Sequence, residues 1–319
     1  MTSKYFIFLV FLIANLAFGQ SNKFDRFIET SDINNFWKAF DEVHKSNDSL
    51  SKSKIFQDIY VDHASKGLID FIDSRGFTSE AWIKSFYKYP KFWNSIRLKT
   101  ESLNNDFNRI ERVYKRFNRL YDDFVPPKIY FTIGNLKGGG TVINGNLIIG
   151  SELAASDKFV DFSELPENYQ KRMKINSGII FLTTHELVHT QQNLNDSRKI
   201  TLLGLSLKEG SADFLAELIL RKKVEAPYIE YGLNNQCYIW QQFQKEMNGH
   251  EYQNWLSNTA TIKNKPADLG YFIGYIISKN YYNNSKNKKQ AVKDMLELDF
   301  NDNAAIENFL KKSNYKCKK

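Results

Sequence analysis

His185-Glu186-Leu187-Val188-His189 is the stretch of this chain with the clearest chemical consequence. Two histidines four positions apart share one face of a helix, a turn from each other. Both imidazoles can then reach a single ion at about 2.0–2.1 Å. Glu186 lies between them, suited to take a proton from a metal-bound water and not to bind the metal itself. Glu209 follows twenty residues after His189, in Lys208-Glu209-Gly210-Ser211-Ala212-Asp213. A carboxylate from a second helix completes a His2Glu donor set for one Zn2+ and leaves a fourth position open, as catalytic zinc sites do. Asp213 is one turn beyond Glu209 and can accept the remaining ring N–H of His185. The competing reading is a buried helix with two core histidines, in which each polar group needs its own separate partner.

These residues need elements to hold them. The proline-free apolar run 177–184 leads into the first histidine and reads as a buried helix. A second helical stretch covers 209–220. Upstream, residues 33–43, 52–63 and 103–120 carry apolar side chains at three- and four-residue spacing, so the region up to Phe124 is mostly helical. Pro126-Pro127 breaks that pattern. Residues 128–133, 141–143 and 146–149 then read as strands, with a turn at Gly138-Gly139-Gly140 and a tight hairpin turn at Asn144-Gly145. Downstream, Gly270-Tyr271-Phe272-Ile273-Gly274-Tyr275 puts two tyrosines on one helical face, with glycines that let another element approach closely. The expected architecture is α+β and mainly helical: a small sheet, the metal helix and a C-terminal helical lobe.

The first nineteen residues read as a secretory signal peptide. Lys4 is followed by a short apolar run and by Ala17-Phe18-Gly19, small residues at a cleavage site that leaves Gln20 first. No cysteine is near that site, which argues against a lipoprotein anchor, and no later stretch is apolar enough to span a bilayer. The organisation expected is therefore a leader 1–19, an N-terminal helical region 20–125 and a metal-site domain 126–319, in a periplasmic or secreted protein. Aromatic residues make up 15% of the chain, which excludes disorder, and the net charge is +8. A basic exported chain meets anionic lipids and glycans and not chromosomal nucleic acid. Cys237 and Cys317 can pair in an oxidising compartment or remain two buried thiols.

His185-Glu186-x-x-His189 with Glu209-x-x-x-Asp213 resembles the gluzincin, thermolysin-like zinc metallopeptidases. Metzincins fit less well, because Gln192 and Asn195 stand where they carry glycine and histidine. With Asp32-Ile33-Asn34-Asn35-Phe36-Trp37, Gly139-Gly140-Thr141 and Gly270-to-Tyr275, the chain also resembles the YjaZ-like bacterial family of predicted Zn-dependent proteases. The resemblance implies a zincin-like fold and an exported metallopeptidase that hydrolyses peptide bonds of a peptide or protein substrate. It assigns the metal to His185, His189 and Glu209, the general base to Glu186, and oxyanion stabilisation to Tyr271, Tyr275 or, after them, His250. Two alternatives are a zinc hydrolase of non-peptide amides and a non-catalytic envelope assembly or interaction protein that kept the scaffold.

Overall fold

The computed structural model describes residues 24–174, 178–193 and 200–317; the leader expected over 1–19 lies outside the described residues. Six helices open the fold: α1 (Ser31–Lys45), α2 (Ser49–Phe56), α3 (Lys66–Arg75), α4 (Ser79–Lys88), α5 (Pro90–Glu101) and α6 (Phe107–Leu120). Their boundaries follow local chemistry. Asp48, Ser65 and Thr78 each accept a backbone N–H in the first turn of α2, α3 and α4. Gly76 closes α3 at φ 62°, and Pro90 starts α5. Apolar spacing on α1 buries Ile33, Phe36, Trp37, Phe40 and Val43, which join Phe56, Tyr60, Trp82, Phe86 and Trp93 in an aromatic core. Each such side chain contributes roughly 1.5–3 kcal/mol by leaving water.

Four strands form one mixed sheet: β1 (Ile28–Glu29), β2 (Ile129–Thr132), β3 (Gly140–Ile143) and β4 (Asn146–Gly150), in the order β1-β2-β4-β3. β2 runs parallel to both β1 and β4, whereas β3 and β4 are an antiparallel hairpin. Asn144 and Gly145 both have positive φ, as a two-residue hairpin turn requires. The glycine run 138–140 is not all turn, since Gly140 already pairs with Ile149. Side chains from the helical region hold the loop after β2. The Tyr60 hydroxyl donates to the Ile133 carbonyl at 2.6 Å, and the Trp82 indole donates to that of Gly134 at 2.7 Å. Glu152, in the short helix α7 (Ser151–Ala154), is fully buried and accepts the N–H groups of Gly134 and Leu136.

The remaining helices are α8 (Glu167–Lys174), α9 (Ile179–His189), α10 (Leu202–Leu220), α11 (Pro227–Asn234), α12 (Gln236–Phe243), α13 (Leu269–Asn284), α14 (Lys288–Leu296) and α15 (Asn303–Ser313). α10 begins seven residues before the helical start expected at Glu209 and is buried along most of its length. It crosses α13 backbone against backbone. A Cβ on Gly274 would fall 1.7 Å from the Ser206 carbonyl oxygen, and one on Gly210 2.1 Å from the Tyr275 nitrogen. The close approach expected of the α13 glycines is thus made to the helix that carries Glu209. Cys237 and Cys317 form a disulfide that ties α12 to the segment after α15. The architecture is mainly helical with a small sheet, an α+β fold, and one hydrophobic core runs from Ile33 to Tyr315. Among the described residues no helix is long and apolar enough to cross a membrane.

Candidate metal centre

α9 and α10 supply the polar cluster. α9 buries Ile180, Leu187 and Val188, packs against the hairpin and α10, and sets Leu182 and Glu186 against Gly139 and Gly140. Glu186 lies over the start of β3. A Cβ on Gly140 would come within 2.6 Å of its Cγ, so only glycine leaves the carboxylate this berth. The Nε2 atoms of His185 and His189 are 3.0 Å apart. Glu209 Oε2 is 3.5 Å from the first and 3.3 Å from the second. Donors at tetrahedral positions around zinc, at its usual bond lengths, stand about 3.3 Å from one another. The three distances bracket that value, so His185, His189 and Glu209 fit a single zinc ion.

Hydrogen-bond partners settle which ring nitrogen carries the proton. Gln192 donates its amide N–H to the Lys208 carbonyl and to Ser211 Oγ, both at 3.0 Å. A carbonyl can only accept, so the amide oxygen is the atom that faces His189, 2.6 Å from Nδ1. His189 therefore donates from Nδ1, and its Nε2 presents a lone pair. On His185, Nδ1 donates to Asp213 Oδ1 at 2.8 Å, while the other Asp213 oxygen accepts the Tyr228 hydroxyl at 2.8 Å. Burial opposes charge on His185, but the Asp213 and Glu209 carboxylates outweigh it and raise its pKa well above the usual value. Burial opposes charge on Glu209 as well, and the two imidazoles hold its carboxyl well below the usual range. The cluster calls for positive charge at its centre, as a proton on His185 or as a cation among the three donors.

The two tyrosines expected to face the ion are placed differently. The Tyr271 ring lies 6.1 Å from that of His185, inclined by 28°, and 5.6 Å from Tyr228. Burial, with the Glu209 charge beside it, raises the Tyr271 pKa well above 10, so its phenol stays protonated at neutral pH. Tyr275 is one turn on, and its hydroxyl donates to Glu217 at 2.7 Å while Lys279 donates to it at 2.7 Å. It lines a cavity of about 840 Å³ bounded by α11 and α13. His250 Nδ1 is 3.1 Å from the Ile200 carbonyl. Glu209, Asp213 and Glu217 thus form a stripe along α10, each carboxylate with its own partners. Gln192 and Tyr228 belong to the cluster without having been expected there. Gln192 is three residues past His189, a spacing that keeps it on the same face; nothing local marks Tyr228.

The match to known proteins is at the level of the family. Residues 21–317 match the family model described as gliding motility protein GldB. No curated protein matches the chain, and no solved structure does. The family is one of motility proteins and not of zinc metallopeptidases, so the match overturns the gluzincin and YjaZ-like resemblance and with it the exported protease acting on a peptide or protein substrate. The reason is one of scale. A five-residue helical motif with one downstream carboxylate describes a local arrangement that unrelated folds can carry, whereas the family pattern spans nearly the whole chain. The family label also designates lipoproteins, against the unlipidated leader read from the sequence; both cysteines of this chain are in the disulfide.

Proposed function

The chain belongs to the gliding motility protein GldB family, and on that premise we propose that it is a non-catalytic assembly or interaction protein of the cell envelope. The observation that carries this reading is the length of the match, from residue 21 to residue 317. The disulfide agrees with it, because such bonds persist in oxidising compartments outside the cytosol. In this reading His185, His189 and Glu209 hold a Zn2+ that fastens α9 to α10. The likeness to zincins is then a local one, a helix pair that serves as a scaffold. A bound zinc would supply Lewis acidity and a position for a further donor. Asp213 and Gln192 orient the imidazoles, Tyr228 fixes Asp213, and Tyr271 covers His185. The ion would also compensate the charge of Glu209 in a buried setting, which is a contribution to folding itself.

The test compares two kinds of variant in the native cell. His185→Ala with His189→Ala removes two ligands, so the purified protein should lose its zinc and the cells should spread no further than cells lacking the protein. Glu186→Gln keeps the ligands and removes the one carboxylate suited to proton transfer. It should hold zinc and support colony spreading at the wild-type rate. A folded, zinc-loaded Glu186→Gln protein that fails to restore spreading would overturn the non-catalytic reading.

A further inference from the structure

We propose that the cavity at the start of α9 binds a phosphate-bearing ligand through Arg112, Arg116 and Lys223. This proposal is independent of the metal centre. The cavity measures about 600 Å³ and lies between α5, α6, the segment after α7 and the first turn of α9. Among the described residues six cationic side chains line it against three carboxylates. The carboxylates are all engaged: Lys99 pairs with Asp157 at 2.6 Å, Arg109 with Asp106 at 2.9 Å and Lys222 with Glu225 at 3.1 Å. The remaining three cations give the concavity an excess of three positive charges. Among the described residues neither Arg112 nor Lys223 forms an ion pair, and Arg116 is held by carbonyls, not carboxylates. Its Nη1 donates to Ile219 and Leu220 at 3.2 and 3.1 Å, at the end of α10.

Like charges gathered in one concavity repel each other, and an anion in that concavity reverses the sign of the effect. The excess suits a doubly charged phosphate monoester better than a single carboxylate. Arginine adds geometry to charge, because its planar fork of N–H donors matches phosphate oxygens. The carbonyl bonds of Arg116 orient that fork and leave further N–H donors on it. Leu103, Val113, Ile179 and Ile180 form an apolar wall, and the volume exceeds what a phosphate ion fills. The ligand class is therefore a phosphate group attached to a less polar body, either a lipid headgroup or a soluble phosphate ester.

The test uses the whole mature protein at low ionic strength. Inorganic phosphate is titrated by calorimetry, and cosedimentation is measured with phosphatidylcholine vesicles with and without phosphatidic acid. The comparison protein carries Arg112→Ala and Lys223→Ala, both at exposed positions, and its unfolding midpoint and circular dichroism serve as fold controls. Each lost charge-assisted contact should weaken binding about tenfold, so the double variant should bind roughly a hundredfold more weakly. Phosphate binding without vesicle binding, lost in the variant, supports a soluble ester. Phosphatidic acid-dependent sedimentation, lost in the variant, supports a lipid headgroup. Binding that is equal in both proteins, or absent for both probes, overturns the proposal.

Discussion

Gln192 does for His189 what Asp213 does for His185: each accepts the Nδ1 proton and turns the Nε2 lone pair inward. The two supports differ in charge, and that difference should be measurable. Glu209→Ala removes a ligand atom and should abolish stoichiometric zinc. Asp213→Ala leaves three ligands and should weaken zinc by roughly 10–100-fold, because the imidazole loses its orienting partner and some basicity. Gln192→Ala should cost less than Asp213→Ala, since a neutral acceptor adds less basicity to the ring. Competition with a chelator of known affinity gives the ranking, and a greater loss at Asp213 than at Glu209 would make Asp213 the ligand. At this scale the sequence was informative only where neighbours in space were neighbours on a helix. His185, His189, Glu209 and Asp213 were legible through four-residue spacing. Tyr228 was not, because α11 brings it to Asp213 from fifteen residues along the chain.

Among the elements, α10 shows why boundaries were harder to read than function-bearing residues. The helical reading began at Glu209, whereas α10 starts at Leu202 and carries Gly204, Ser206, Gly210 and Ser211 within it. In the fold these small residues serve packing, with Gly210 set against the α13 backbone and Gly204 near the Phe300 carbonyl. β1 was missed for a different reason: two residues carry no periodicity, and its pairing with β2 spans about a hundred positions. The contact of α10 with α13 has a direct consequence for the proposed metal site. Gly274→Ala places a methyl group against the Ser206 carbonyl, and overpacking of this kind typically costs 1–3 kcal/mol. Because α10 carries Glu209, displacement of the helix should lower zinc affinity as well as the unfolding midpoint. A Gly274→Ala protein with both quantities unchanged would show that α13 does not position the site. An alanine at Gly76, where a Cβ meets no atom within 4 Å but φ is positive, controls for loss of glycine alone.

For the molecule as a whole, two buried carboxyls outside the His185, His189 and Glu209 cluster set a dependence on pH. Asp32 accepts the Ser65 N–H and hydroxyl, yet burial pushes its pKa up to about 6. Glu152 is pushed up to about 7, again by burial, against the backbone N–H groups it accepts. The native state therefore binds protons that the unfolded chain has released. The stabilisation is complete below the ordinary carboxyl values and is lost as pH rises through about 6 for Asp32 and about 7 for Glu152. Each shift of two or more units corresponds to on the order of 3 kcal/mol. Asp32→Asn keeps an acceptor for the Ser65 N–H and cannot ionise, so its unfolding midpoint should fall less than that of wild type between pH 4 and pH 6. Equal slopes by calorimetry would exclude Asp32 as a source. The mainly helical class with a small sheet was legible from periodicity and from Pro126-Pro127. The function was not, because the motif spoke for five residues and the family pattern is distributed over the rest.

The single bond between Cys237 and Cys317 also limits how the chain can go wrong during oxidation. With two thiols in the sequence there is one intrachain pairing and no isomer to reshuffle. The only erroneous bond joins two molecules, so oxidative failure is second order in protein and recedes on dilution. In the proposed reading zinc acquisition is chemically separate from that step, because nitrogen and oxygen donors are indifferent to the oxidant that closes the sulfur pair. On that reading the crosslink and the metal centre can be completed in either order.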